Sequence, residues 1–364
     1  MERRLLVMGA GTGASNNLIR SLKTGDASLL LVGCHHDPFF LKKSAAERNY
    51  LISRSDQTEF TNSLQRAVAA EHIDLIIPNS DTEVRTVGAV RDHIGCRTFL
   101  PSPAAIELCQ DKYMLSVFLC ARGIPTPSTY PVTSLDTIDD VFRRLAPRSR
   151  LWCRIRTGAG SMGAIPVTNP GQARSWISYW EEVRSVPVVA FTLSEYLPGR
   201  DFACQSLWKN GKLVLIKTTE RVSYFGTSNA PSGTSSVGSI HKTVYEPRVV
   251  DVSTAAVSAL GRDITGAFSV DLKERSDGTP CVTEINVGRF LSGTTIFDVT
   301  GKHNMAVAYV RLALGEPVDI VDPYDVAEGY YMVRDLDTLP DVIFAEELFD
   351  GIRDVREGSL TSGG

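Results

Sequence analysis

The stretch Phe268-Ser-Val-Asp-Leu-Lys-Glu-Arg-Ser-Asp-Gly-Thr-Pro-Cys-Val-Thr-Glu-Ile-Asn286 reads as two alternating strands around Asp277-Gly278. Asp-Gly is a preferred two-residue type I′ hairpin turn. A turn of that length sets Asp271 directly opposite Glu284, and Ser269 opposite Asn286. Alternation then places Asp271, Glu284 and Asn286 on one face. The other face carries Val270, Leu272, Thr283 and Ile285, which can pack on a core. Opposed carboxylates repel unless a cation lies between them. Two carboxylates and an amide oxygen suit Mg²⁺, a hard cation that takes oxygen ligands and leaves positions for phosphates and water. The bland alternative is a solvated hairpin face whose charge Lys273 and Arg275 balance.

Working outward, the first hundred residues alternate strand and helix. Leu5 to Met8 is a short apolar strand, followed by a glycine turn and a helix pattern through Leu18, Ile19 and Leu22. Leu29 to Val32 and Leu75-Ile76-Ile77 are further strands, with a helix over 59–70 between them. This order predicts a parallel sheet with helices on both faces. Pro101-Ser102-Pro103 marks a lobe boundary. One helix then follows, with Ile106, Leu108, Leu115, Phe118 and Leu119 on its apolar stripe, and stops at Gly123-Ile124-Pro125. From about residue 150, strands and hairpins dominate, interrupted by helices at 171–184, 250–260 and 302–314. The fold class is therefore α/β, becoming α+β in the C-terminal part. The expected organisation is an N-terminal domain over 1–103, a small lobe over 104–192, a large lobe over 193–358 and a disordered tail over 359–364. Gly226 to Gly238, rich in Gly, Ser and Thr, reads as a mobile loop.

Composition narrows the function classes. The 364 residues carry 38 basic and 42 acidic side chains, a formal charge of −4, which argues against a dedicated nucleic-acid binder. Seven cysteines, an odd number with no C-x-x-C pair, read as free thiols in a reducing compartment. No apolar run approaches the roughly 20 residues needed to cross a bilayer. The opening residues lead into a first strand rather than a signal peptide. The expected location is the cytoplasm.

Two glycine loops stand out. Gly9-Ala10-Gly11-Thr12-Gly13-Ala14 lies between a strand and a helix and fits a dinucleotide fingerprint, with Asp37 as a candidate ribose acid. A plain tight turn or another ligand fits it better. Gly158-Ala159-Gly160-Ser161-Met162-Gly163 follows the strand-like run Leu151 to Ile155, and Pro166 beyond it disfavours a helix. A glycine loop between two strands can close its backbone over phosphates. Arg154 and Arg156 on the feeding strand favour that reading over an ordinary hairpin.

Taken in order, these residues resemble the ATP-grasp superfamily on its carbamoyl-phosphate-synthase and biotin-carboxylase branch, over roughly residues 4–320. Asp111-Lys112, ahead of Gly123-Ile124-Pro125-Thr126-Pro127, opens the second lobe, and Lys112 matches a nucleotide-phosphate lysine. Arg154 falls where many members have a second lysine. Gly158, Gly160, Ser161 and Gly163 look like the phosphate-covering loop. The run Glu195-Tyr196-Leu197-Pro198-Gly199-Arg200-Asp201 is similar to the adenine-binding linker. There Tyr196 and Leu197 would offer backbone groups to the adenine edge, Glu195 would take its amino group and Asp201 the ribose hydroxyls. Past the hairpin signal Asn210-Gly211, Lys217 and Arg221 look like phosphate or substrate contacts. Glu284-Ile285-Asn286 matches the metal motif and Asp271 its partner acid. The family usually continues with proline and arginine, whereas here Val287-Gly288 precedes Arg289.

The resemblance implies a Rossmann-like N-terminal lobe, a mobile lid and a larger C-terminal lobe, with ATP and Mg²⁺ between the last two. It implies a ligase that activates a carboxylate as an acyl phosphate and joins it to an amine, an amino acid being one such partner. Lys217, Arg221 and Arg289 are the expected catalytic cations. Bicarbonate is the runner-up acid. A nucleotide-binding regulator without turnover and an NAD(P) dehydrogenase are the rival classes. A homodimer is an open option, and no membrane or nucleic-acid partner is expected.

Overall fold

A computed structural model describes residues 2–146, 148–293, 295–335 and 341–347. The tail expected to be disordered lies outside the described residues. The chain begins with β1 (Arg3–Met8), α1 (Gly13–Gly25), β2 (Leu29–His35), α2 (Pro38–Leu41), β3 (Arg48–Leu51), α3 (Phe60–Glu71), β4 (Leu75–Ile77) and α4 (Asp81–Val90). The strands pair in parallel in the order β3-β2-β1-β4. Leu6 and Met8 point to one face, among Phe60 and Leu64 of α3. Leu5 and Val7 point to the other, among Leu18, Ile19 and Leu22 of α1. Strand alternation thus covers both faces with helices, as the repeated strand–helix order predicts.

Next come α5 (Pro103–Gln110), α6 (Lys112–Cys120), β5 (Thr129–Pro131), α7 (Ile138–Leu145), β6 (Leu151–Ile155), β7 (Ile165–Val167), α8 (Pro170–Arg184) and β8 (Phe191–Glu195). The single helix expected through 106–119 is two. Asp111 leaves the helical region and its carboxylate accepts from the backbone N–H groups of Tyr113 and Met114. A side-chain cap of this kind starts a new helix rather than continuing the old one. Strands β5-β8-β6-β7 form a small sheet with its own core, in which Val132, Leu151, Phe191 and Leu193 meet Val141 and Ile177.

The large lobe contains β9 (Asp201–Lys209), β10 (Lys212–Tyr224), β11 (Gly238–Thr243), α9 (Pro247–Ser258), β12 (Gly266–Glu274), β13 (Pro280–Val287), α10 (Met305–Leu314), β14 (Tyr330–Val333) and β15 (Asp341–Phe344). Its strands form one antiparallel sheet in the order β13-β12-β9-β10-β11-β14-β15. Phe202, Cys204, Val270 and Leu272 bury one face, with Val249, Ala256 and Val257 of α9 in the same core. On the other face, Leu207, Leu215 and Ala267 share a core with α10 and with β1 and α1 of the first lobe. The rest of that face is left for the cleft.

Both hairpin readings meet the backbone differently. Asn210 and Gly211 both have positive φ, 51° and 77°, the signature of a type I′ turn. The Asp277-Gly278 hairpin is not of that type. Arg275 pairs with Thr279, and only Gly278 of the turn has positive φ, at 78°. The loop is therefore three residues long and shifts the register beyond it. A β-bulge at Thr283 restores the register, because Asp271 pairs with Glu284 while Leu272 pairs with Val282. From there Ser269 pairs with Asn286, as read from the sequence. The bulge also turns Thr283 toward the cleft, although plain alternation assigned it to the core.

Candidate active site

A cleft of about 530 Å³ lies between the small sheet and the free face of the large one. Its floor is the β12–β13 hairpin. Asp271 and Glu284 face each other across the pair, and Asn286 Nδ2 donates to Asp271 Oδ2 at 3.2 Å. Burial, with Glu284 beside it, pushes the Asp271 carboxyl above its ordinary range, against the pull of Arg221. Burial opposes the charge of Glu284 as well, but Lys112 and Arg154 outweigh it and hold that carboxyl low. Two acids opposed this closely repel unless a cation lies between them. The donor set is hard oxygen throughout, which fits Mg²⁺. The Asn286 oxygen faces Arg289 here, so it joins the acids only when the amide turns over.

The wall from the small lobe supplies cations. Lys112 is the first residue of α6, placed by the Asp111 cap, and its backbone N–H donates to the Arg156 carbonyl at 2.9 Å. Its Nζ donates to the Gly158 carbonyl at 2.6 Å and lies 3.3 Å from Glu284 Oε2. Arg154 on β6 reaches across and donates to the Thr283 carbonyl at the bulge, at 2.9 Å. Its Nε is buried without a partner among the described residues. Arg156, expected to share this role, instead pairs with Asp111 at 2.5 Å and leaves the cleft. The strand ends at Ile155, so alternation no longer governs it.

Gly158 to Met162 line the cleft as the connection of the β6–β7 hairpin. Gly158 and Gly160 have φ of 104° and 78°, and Ser161 shares the left-handed region at 55°. Gly163 departs from the expectation of a phosphate contact. It packs against Ile155, where a Cβ would come within 2.6 Å, and its carbonyl accepts from Trp176 Nε1. It anchors the loop rather than lining the cleft. Thr234, from the loop over 226–238, donates to the Ala164 carbonyl at 3.1 Å, so the two loops meet over the cleft.

At the opposite end Glu195, Tyr196 and Leu197 leave β8 and line the wall. The Glu195 carboxylate is committed elsewhere, 3.2 Å from Arg275 and 3.3 Å from Arg148. Only its backbone remains for a ligand, because the side chain turns toward the cations that seal the lobe junction. Asp201 at the start of β9 lines the cleft between Arg221 and Lys273, 3.3 Å from each. Arg221 also donates to Asp271 at 2.6 Å. Arg289 lines the cleft and is held by Asp81 of α4 at 2.7 Å.

Lys217 does not belong to this site. It is 4% exposed and pairs with Asp298 at 3.1 Å and Asp325 at 3.5 Å. It shares a face with Arg221 but lies four residues, roughly 13 Å, earlier on β10. At that point the segments around Asp298 and Asp325 cover the sheet. The dinucleotide reading of Gly9 to Ala14 also meets an obstacle. A Cβ at Gly11 would come within 1.8 Å of the Phe40 carbonyl, so the chain's own α2 closes that loop. Asp37 caps α2 by accepting from the Phe39 N–H.

Among the cleft residues that escaped the sequence reading, two stand out. His241 of β11 is paired in register with Arg221, and Arg334 follows β14. Neither sits in a motif. The only signal was a histidine within an alternating run. All seven cysteines are free and five of them are buried, in line with the sequence expectation. Among the described residues, no helix is long and apolar enough to cross a membrane.

No family model matches the chain, and no curated protein sequence matches it. Solved structures do. An L-amino acid ligase from Bacillus licheniformis is similar over 91% of this chain and 78% of its own, with a TM-score of 0.65 and 16% identity. The biotin carboxylase domain of Hydrogenobacter thermophilus 2-oxoglutarate carboxylase, in complex with MgADP, ADP and bicarbonate, is similar over 91% of this chain and 73% of its own, at TM-score 0.70 and 13% identity. An N5-carboxyaminoimidazole synthase from Aspergillus clavatus, in complex with ADP and 5-aminoimidazole ribonucleotide, is similar over 91% of this chain and 82% of its own, at TM-score 0.67 and 16% identity.

Proposed function

From the premise that this chain has the ATP-grasp fold, we propose that it is an ATP-dependent ligase joining a carboxylate to an amine through an acyl phosphate. One observation carries the reading. The opposed acids Asp271 and Glu284 sit where Lys112 and Arg154 converge from the other lobe, beneath a glycine loop. Such an arrangement concentrates charge at the outer phosphates of a nucleotide.

In this reading the adenine lies against Tyr196 and Leu197, with the ribose near Asp201. The phosphates run under Gly158, Gly160 and Ser161 toward Lys112 and Arg154. Asp271, Glu284 and the Asn286 oxygen would hold Mg²⁺, which when bound neutralises phosphate oxygens. Lys112 and Arg154 bind and orient the γ-phosphate, while Arg289 and Arg221 hold the acid substrate's carboxylate against its own repulsion from the phosphates. A carboxylate oxygen attacks the γ-phosphorus, the bond to the bridging oxygen breaks and ADP leaves. The amine then attacks the acyl carbon, and phosphate departs with the acid's former oxygen. The protein's part is positioning and charge neutralisation in a closed cleft.

The test is a screen of acid and amine pairs, bicarbonate among the acids, for release of ADP. Acid labelled with heavy oxygen in its carboxylate should transfer one label to phosphate. Formation of AMP and pyrophosphate would overturn the proposal, because the cations gather at the outer phosphates. Label that never reaches phosphate would exclude the acyl phosphate.

A further inference from the structure

We propose that the end of the cleft formed by Arg334, His241 and Ser292 is a subsite for an amine substrate that itself bears a carboxylate, such as an amino acid. Arg334 takes the acid group and His241 accepts a hydrogen bond from the amine. This rests on the ligase reading and specifies its second substrate.

His241 carries the argument. It is 5% exposed and lines the cleft, yet both ring nitrogens are buried with no hydrogen-bond partner among the described residues. Leaving such groups unpaired is costly, so a persistent orphan calls for a ligand. The ring's seat is built for it by two glycines. A Cβ on Gly238 would lie 2.0 Å from Nε2, and one on Gly293 would lie 2.8 Å from the ring. Burial, then Arg221 and Arg334, push its pKa down to about 3, so the imidazole is neutral and offers one donor and one acceptor. A neutral acceptor between two guanidinium groups suits an amine N–H and gives nothing to a second cation's charge.

Arg334 is the matching half. Its Nε donates to the Gly238 carbonyl at 2.8 Å and its Nη1 to Ser292 Oγ at 3.0 Å. Both acceptors are neutral. Arg221 and Arg289, by contrast, each hold a carboxylate. Burial pulls the Arg334 pKa down, and no carboxylate charge among the described residues offsets it. A half-buried guanidinium without a counter-charge is costly, and the carboxylate of an incoming substrate would relieve that cost. His241 lies three strands from β12 on the same face, in the row of Arg221, Asp201 and Lys273, two residues along from Asp271. At about 4.8 Å per strand that leaves room for an acyl phosphate between the metal pair and the subsite.

The experiment measures ADP release with the twenty standard amino acids and their carboxamides as amine substrates. The wild-type protein should favour the free acid over the amide, on the order of a hundredfold in kcat/KM. Arg334→Gln should erase that preference through KM, and Arg334→Lys should restore part of it, with ADP affinity unchanged in both. Equal use of acid and amide by the wild type, or an Arg334→Gln protein that keeps the preference, overturns the proposal. If no pair releases ADP, the ligase reading fails separately. The subsite is then judged by calorimetric titration of the same amino acids and carboxamides. Heat for the acids alone, lost in Arg334→Gln, sustains it, and no binding by any acid overturns it.

Discussion

Replacing His241 with glutamine should make the protein less sensitive to acid. The folded-state pKa of His241 is about 3, against an ordinary 6.5. Between those values the unfolded chain binds a proton that the folded chain refuses. Stability therefore rises with pH across this window and is lost as pH falls through it. The size follows from the two pKa values. At about pH 5 the loss is about 2 kcal/mol, and it reaches about 4 kcal/mol near pH 3. The neighbouring Arg221 and Arg334 stay charged throughout and add no slope. Glutamine keeps a polar side chain but cannot titrate, so it removes this loss while the carboxylates titrate alike in both proteins. The assay is denaturant unfolding at about pH 8 and about pH 5, followed by tryptophan fluorescence. The acid-induced loss should be about 2 kcal/mol smaller in His241→Gln. Equal losses in both proteins would show that His241 takes up its proton in the folded state, which would refute its burial as a neutral ring.

Glu284→Gln should abolish ADP release while the far-ultraviolet spectrum and melting temperature stay close to wild type; retained turnover would remove the metal role from the hairpin. Lys217→Met should cost about 3–5 kcal/mol of stability, because Asp298 and Asp325 lose their buried counter-charge. ADP affinity should not change, and a weakened affinity with intact stability would return Lys217 to the cleft. Hydrogen exchange over 158–163 should slow when an ATP analogue binds, since the loop makes few contacts of its own; equal protection with and without it would count against a phosphate-covering role.

Much of the fold was legible because it rests on local chemistry. The apolar strands at Leu5, Leu29 and Leu75 and the helix near Phe60 follow from side-chain period alone. Even the pairing of Asp271 with Glu284 was read from the sequence, though partly through compensation. The turn is one residue longer than the sequence implied, and the Thr283 bulge absorbs the difference. A bulge leaves no pattern in a single sequence, because it depends on what the strand packs against, here the reach of Arg154 to the Thr283 carbonyl. The split at Asp111 was signalled by a good capping residue, but the apolar stripe ran through it and hid the break.

What the sequence alone determined is therefore the principal strands and helices, the glycine hairpin and the acid pair. Only the tertiary structure decided which charges belong to the cleft. Lys217 and Arg221 share a strand face four residues apart, yet the first is sealed by Asp298, 81 residues away, and the second meets Asp271 at the cleft. Arg289 is fixed by Asp81, 208 positions earlier, and His241 is emptied of partners by glycines on two separate segments. Period and turn chemistry act over a few residues, whereas the burial and pairing of a charge are settled by whichever distant segment packs over it.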